Sequence, residues 1–476
     1  MMEAREGGPV QTFPSHSPII GLSPVAPGLD TLYAVCRRLY PDQPNPLQVT
    51  AVVKYWLGGP DPLDYVSMYS NPGDEEKGVP PHWHYISFGL SDLHGDGRVH
   101  EMSGSDTPSG FGFELTFRLK REAEETAPPT WPAAIMQALA KYVFQSENIL
   151  CAGDHVSWHC PLDNSESRIQ HMLMTEDPQL GMVMSPFGPV NFVQIVGVCG
   201  EELMAAQRWN GPGVIDLMKN IEGAGSPWLV TDMRRGESMF DLDLNVQEAV
   251  DKGIEVDGSN LSGVSARCSW SENQPSSRIR SHSSEGQHDK DSETFIPQIS
   301  ELESEQIKST LKKGLLNTKP VLPPIKSSHS SRNDNNIRKE CYDSSASSYP
   351  GMLESGELLK TRTLESVHLQ FNLEAGTVLP LALRGRLRHG RHFTFKSVVG
   401  DIAITFVAPS VVGAFADAEH PYAAHGPWLQ VLLDEEFVEE MILDLDELTN
   451  VEGLSLPKTY SWPDKNLSIT LLPEEY

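Results

Sequence analysis

A change of composition just after Trp270 limits how this chain can fold more than any other feature. Residues 271–350 contain 18 serines and few aromatics, with polar runs such as Ser327 to Asn336 (SSHSSRNDNN). Ordering a backbone costs about 1–2 kcal/mol per residue, and such a stretch has too little apolar surface to offset that. It is expected to be a disordered insertion over about 272–354, dividing the apolar pattern into a block before it and a block after it. Inside it, Gln298 to Leu316 forms one amphipathic island able to make a transient helix, followed by an extended Pro320 to Ile325.

Both blocks mix helical and strand periods. In the first, Leu29, Leu32, Tyr33, Cys36, Leu39 and Tyr40 form a helical stripe over 29–40 that Pro41 stops. Tyr85 to Phe88 and Phe111 to Leu119 alternate as strands. Trp131-Pro132 opens a helix carrying Ile135, Leu139, Tyr142 and Val143, and further strands are expected near 154–159, 168–174 and 190–199. Short helices follow at 200–209 and 214–221. In the second block, 367–371, 401–406 and 467–471 read as strands. An acidic helix runs from its N-cap Asp434 to Leu448, turning Phe437, Val438, Met441, Leu445 and Leu448 inward. The expected class is α+β: a disordered tail over 1–28, then two mixed α/β domains, 29–262 and 263–476, with the insertion in the second.

Charge and chemistry exclude several functions. With 37 Lys+Arg against 65 Asp+Glu the formal net charge is −28, which disfavours direct binding to nucleic acid or an anionic membrane but permits a basic partner. The longest apolar stretch, Val190 to Cys199, is too short to span a bilayer. Six cysteines without a CxxC pair, and a start without an apolar signal core, fit an intracellular protein with reduced thiols. The segment Cys151 to Cys160 (CAGDHVSWHC) holds five candidate zinc ligands, but as a strand it places His155 and His159 on one face and Asp154, Trp158 and Cys160 on the other. His82-Trp83-His84 matches no coordination spacing and fits core or loop histidines. GxSxG, SxxK and HExxH are absent, and Gly110 to Phe113 lacks the lysine and third glycine of a phosphate loop. No enzyme activity, cofactor or metal is expected. What the strand-rich pattern does suit is an extended peptide added to a sheet edge, with a carboxylate beside the groove favouring a peptide that carries His or a basic residue.

Five strings make the chain closely similar to the Suppressor of fused family: Cys36 to Thr50 (CRRLYPDQPNPLQVT), Tyr55 to Met68 (YWLGGPDPLDYVSM), His82 to Asp92 (HWHYISFGLSD), Trp228 to Glu237 (WLVTDMRRGE) and His420 to Trp428 (HPYAAHGPW). The resemblance covers roughly 30–270 and 355–472. It implies a monomeric, two-domain negative regulator of Hedgehog signalling, both cytoplasmic and nuclear. Such a protein clamps a Ser-Tyr-Gly-His-Leu-type segment of Gli transcription factors as a β-strand between its domains. The positions it implies here are Tyr142, Leu150 and Asp154 from the first domain, Val264 and Ala266 near the junction, and Glu365 and Leu369 from the second. The family often has an aromatic residue at the position of Leu150. Glu365 and Leu369 have the same parity on an expected 365–371 strand and so would face one groove. Kinesin-like and kinase components of the pathway are further implied partners. Lys252 matches a ubiquitinated lysine, and Ser344 and Ser348 stand near the family's phosphorylated serines, although here the preceding run reads Arg338-Lys339-Glu340-Cys341. A second role consistent with the resemblance is a corepressor adaptor that recruits other proteins through the insertion.

Overall fold

The computed structural model describes residues 26–102, 104, 106–272, 361–451 and 453–473. The tail, the serine-rich insertion with its amphipathic island, and Ser344 and Ser348 lie outside them. In chain order the first elements are α1 (Pro27–Leu39), β1 (Leu47–Thr50), β2 (Tyr65–Asn71), β3 (His82–Phe88), β4 (Phe113–Lys120), α2 (Trp131–Ser146), β5 (His155–Val156), β6 (His171–Glu176), β7 (Val183–Ser185) and β8 (Gly188–Val198). Then come α3 (Gly200–Arg208), α4 (Gly211–Asn220), α5 (Met239–Leu242), α6 (Val246–Asp257), β9 (Gly263–Ala266) and β10 (Cys268–Glu272). After the insertion follow β11 (Thr361–Leu364), β12 (Val367–Asn372), α7 (Leu373–Gly376), α8 (Leu379–Gly385), β13 (Phe393–Ser397), β14 (Ala403–Val407), β15 (Tyr422–His425), β16 (Trp428–Leu432), α9 (Glu435–Asp444), β17 (Lys458–Trp462) and β18 (Leu467–Leu472). The class is α+β, as the two interleaved periods imply.

Contacts gather the chain into two units: residues up to 149 with 176–196, and 150–175 with 197 onward. This grouping follows packing, whereas the division at 262/263 follows order along the chain. In the first unit β1, β2, β3 and β4 pair antiparallel in sequence, β8 joins β4 in parallel, and β7 folds back on β8. α1 starts with Pro27 in its first turn and ends with Arg37 and Arg38 in its last, a charge placement that complements the helix dipole. Its Leu32, Val35 and Cys36 pack with Tyr69, Ile86, Phe88 and Phe192.

Alternation in β3 and β4 separates an apolar face from a polar one, but both faces are buried. The polar face holds a closed network. Arg118 donates to both oxygens of Asp177 at 2.8 and 3.0 Å, His84 Nε2 lies 3.0 Å from the same carboxylate, and Thr116 donates to it at 3.0 Å. Arg118 also meets His82 Nε2 at 2.9 Å, and Tyr40 closes on His84 Nδ1 at 2.7 Å. Burial alone pushes the Asp177 carboxyl up, yet His84 and Arg118 outweigh it and hold its pKa well below the usual carboxylate range. Burial first, and Arg118 second, lower His82 to about 3 and His84 to about 4, so both are neutral core histidines at pH 7.

In the second unit β5 pairs antiparallel with β6. A four-stranded sheet runs β10-β12-β18-β17 and a six-stranded one β11-β15-β16-β14-β13-β9. One core cluster serves both, including Leu369, Phe371, Phe395, Phe406, Met441 and Ile469. Asp434 caps α9 as expected, its carboxylate accepting the Phe437 N–H at 2.8 Å. The helix stops at Asp444, and a 3-10 turn over Asp446–Thr449 carries the chain past Leu448.

Candidate functional site

Asp154 sits where a tight turn enters β5. Its N–H donates to the Cys151 carbonyl at 3.1 Å, and its Oδ2 accepts the Cys151 N–H at 2.8 Å. Gly153 adopts φ +96°, a conformation a side chain would strain, and its N–H donates to the Met174 carbonyl at 2.8 Å. Met174 in turn donates to the Asp154 carbonyl at 2.8 Å, so both sides of the turn are fastened to β6. The half-buried carboxyl is pushed up by burial, an effect the Cys151 N–H and His155 only partly offset. His155, on β5 itself, is pushed down by burial.

The expected strand over 154–159 shortens to His155–Val156. His159, three residues past the strand, takes φ +64° and sets its ring edge-on to His171 at 5.2 Å, so His155 and His159 do not share a strand face. Among the described residues no group of three or more His, Cys, Asp or Glu is placed to hold a metal ion.

β9 ends the six-stranded sheet, and β5 pairs with β6 from the end of its own path, so each has one side with no strand partner among the described residues. Thr394 donates to the Ser262 carbonyl at 3.0 Å and Val398 to the Ala266 carbonyl at 2.9 Å. In a parallel pair the backbone groups alternate sides, so Val264 and Ala266 bond inward to β13 while the N–H and C=O of Ser265 face the open edge. The period-two run Val264, Ala266, Cys268, Trp270, broken by polar Ser265, Arg267 and Ser269, is the signal in the sequence for this strand.

The remaining expected positions separate into groups. Val264 and Ala266 share one core cluster with Leu369, which is 0% exposed on β12. Leu150 is buried in the same unit. Glu365 is exposed in the bend between β11 and β12, outside any strand, because the chain changes sheets there. The shared parity expected of Glu365 and Leu369 therefore does not hold. Tyr142 belongs to the first unit, half-buried in the last turns of α2, its hydroxyl accepting from Asn148 Nδ2 at 2.9 Å. Lys252 is exposed on α6.

An open strand edge with a capped carboxylate beside it is a surface able to take an incoming backbone, the class of feature a protein-interaction module uses. The family model for the Suppressor of fused protein matches residues 59–236, and that described as the Suppressor of Fused Gli/Ci N terminal binding domain matches 248–471. The chain is 61% identical to Suppressor of fused homolog of Mus musculus over 451 residues, 94% of this chain and 92% of that protein. The homolog of Homo sapiens is likewise 61% identical, over 453 residues and the same shares. A crystal structure of Drosophila Suppressor of Fused superposes with a TM-score of 0.67 at 38% identity, covering 94% of this chain and 97% of that one. The chain belongs to the Suppressor of fused family, whose members are regulatory proteins of Hedgehog signalling that act through protein–protein interaction.

Proposed function

We propose that this protein restrains Gli transcription factors by holding a short Ser-Tyr-Gly-His-Leu-type segment as an added β-strand, keeping them in the cytoplasm and repressing them in the nucleus. The observation that carries this reading is that, of the six strands ending a sheet among the described residues, β9 turns Ser265 outward and β5 has Asp154 at its entry. An added strand gains ladder hydrogen bonds, and side-chain pockets supply selectivity. The match of residues 248–471 to the Gli/Ci N terminal binding domain model also supports it. In this reading Asp154 accepts a charge-assisted hydrogen bond from the peptide histidine, typically about 1.5–3 kcal/mol. Val264, Ala266 and Leu150 form apolar walls, and Tyr142, Glu365 and Leu369 complete the contact from the domains 29–262 and 263–476. Leu369 contributes by shaping the floor, since its side chain is enclosed.

Calorimetric titration of the full chain with a Gli-derived peptide tests the reading. Tight one-to-one binding that Asp154→Arg abolishes, with the melting temperature nearly kept, is the expected result. No heat from the well-folded unaltered protein would overturn it.

A further inference from the structure

The second unit contains a cleft of about 700 Å³ whose lining includes no residue of β5 or β9. Three helices line it, each along one face. α3 contributes Glu201, Met204, Ala205 and Arg208, and α6 contributes Val250, Asp251, Ile254 and Glu255. α8 adds Pro380, Leu381 and Arg384. These are spacings of three and four residues, the pattern by which a helix presents a stripe to another helix. Three such stripes facing one space are the arrangement of a helical bundle with one member missing.

The cleft is apolar where water reaches it. Leu244, just after α5, is 89% exposed and Met204 is 52% exposed, although both line the cavity beside Phe240, Leu381 and Val451. Exposed apolar groups gathered at a concave surface mark an interaction site more reliably than scattered ones. Its rim is acidic. Glu201, Asp241, Asp251 and Glu255 line it with two cations, Arg208 and Arg384; Arg384 is already engaged by Asp446 at 2.5 Å, and Arg168 holds Glu201 at 2.5 Å and lies 3.7 Å from Asp241, which leaves Asp251 and Glu255 as the exposed acidic pair. Asp251 and Glu255 lie one turn apart on exposed ground, so they favour a guest carrying lysines at the same spacing.

We propose that this cleft is a docking groove for a short amphipathic helix of a partner protein. The guest presents leucine or isoleucine at positions i, i+3 or i+4 and i+7 to the Met204, Phe240 and Leu244 side, and lysines to Asp251 and Glu255. At 1.5 Å per residue, the nine residues of α3 and twelve of α6 set a matching guest length of about three turns. Charge complementarity selects this occupant over an acidic or uncharged one, because Asp251 and Glu255 stand exposed one turn apart while Arg168 engages Glu201 and Asp446 engages Arg384, on a chain of net charge −28.

The probe is a fluorescein-labelled peptide patterned Leu-Lys-Lys-Leu-Leu-Lys-Leu, written twice, against a scrambled isomer of the same composition. Anisotropy is read with the full chain, with Leu244→Ser and with Asp251→Lys/Glu255→Lys. All three substituted side chains are solvent-exposed, and unchanged circular dichroism and melting verify the fold. The patterned peptide should bind about tenfold more tightly than the scramble, and both variants should lose about tenfold while binding a Gli-type peptide normally. Equal affinity for the two isomers, or variants that bind as the unaltered chain does, would overturn the proposal. So would about tenfold tighter binding by a chain lacking 298–316, because that would make the protein's own amphipathic segment the occupant.

Discussion

Asp154 does two jobs that a single substitution can separate. Its Oδ2 closes the Cys151 turn, and in the proposed function its charge meets a peptide histidine. Asp154→Asn keeps an oxygen for the Cys151 N–H and removes only the charge. It should weaken a His-containing peptide by about tenfold or more while shifting stability by less than about 1 kcal/mol. Parallel titration and thermal melts check both numbers, and a large loss of stability would make the residue structural. The Arg118–Asp177 pair is a different case, because neither side chain reaches water. Asp177→Ala removes the carboxylate that balances a buried guanidinium and should cost about 3–5 kcal/mol, read as a lower urea midpoint. The same network predicts acid sensitivity. His82 and His84 stay neutral in the fold down to about 3 and 4, whereas in the unfolded chain they take up protons below about 6.5. The unfolded state therefore binds more protons as pH falls through that window. The histidines' contribution is fully present above pH 6.5 and declines toward pH 4, by about 2 kcal/mol for each by pH 5. Urea melts at pH 7 and pH 5 measure it. The buried Glu114, whose pKa burial raises, works against this trend at the acid end.

At the scale of elements, β9 gives the sharpest handle on strand addition. Ser265 directs its N–H away from β13, so Ser265→Pro removes a donor the sheet does not use and an incoming strand needs. Peptide affinity should fall about tenfold or more with a modest change in melting temperature, and retained affinity would show that the guest does not pair with β9. The elements also show what a single sequence conveys. α1, α2, α3, α4 and α9 were legible because each carries an apolar stripe at helical spacing between recognisable stops, such as Pro41 after α1 and Asp434 before α9. β3 and β4 were legible in period but not in environment. Alternation shows that two faces differ, and cannot show that the polar face of His82, His84, Thr116 and Arg118 is sealed by Asp177, distant in sequence. Asp154 reads as part of a strand over 154–159, whereas it closes a turn before a strand only two residues long. Beyond it the chain leaves extended backbone, with His159 in a left-handed conformation that non-glycine side chains rarely announce. Leu369 and Glu365 came from resemblance, and parity could not reveal the bend between them.

For the molecule as a whole, the long excursion between β10 and β11 begins and ends at one place. Glu272 and Arg362 face each other at 3.7 Å across its ends. Replacing 273–360 with a short Gly-Ser linker should therefore leave the melting temperature within a few degrees and peptide affinity unchanged, because closing a shorter loop costs less entropy. Collapse of repression in cells with intact peptide binding would instead favour the adaptor role. The shortness of the open strands has a consequence of its own. A bare edge is a template on which identical chains can stack into fibres, and long flat edges are the dangerous ones. β5 offers two residues and β9 four. That is enough ladder to seat a five-residue guest supported by side-chain contacts, and too little for one copy of the chain to seed another. At these two edges the waiting, unoccupied protein stays colloidally safe by the same economy of length that keeps the site available.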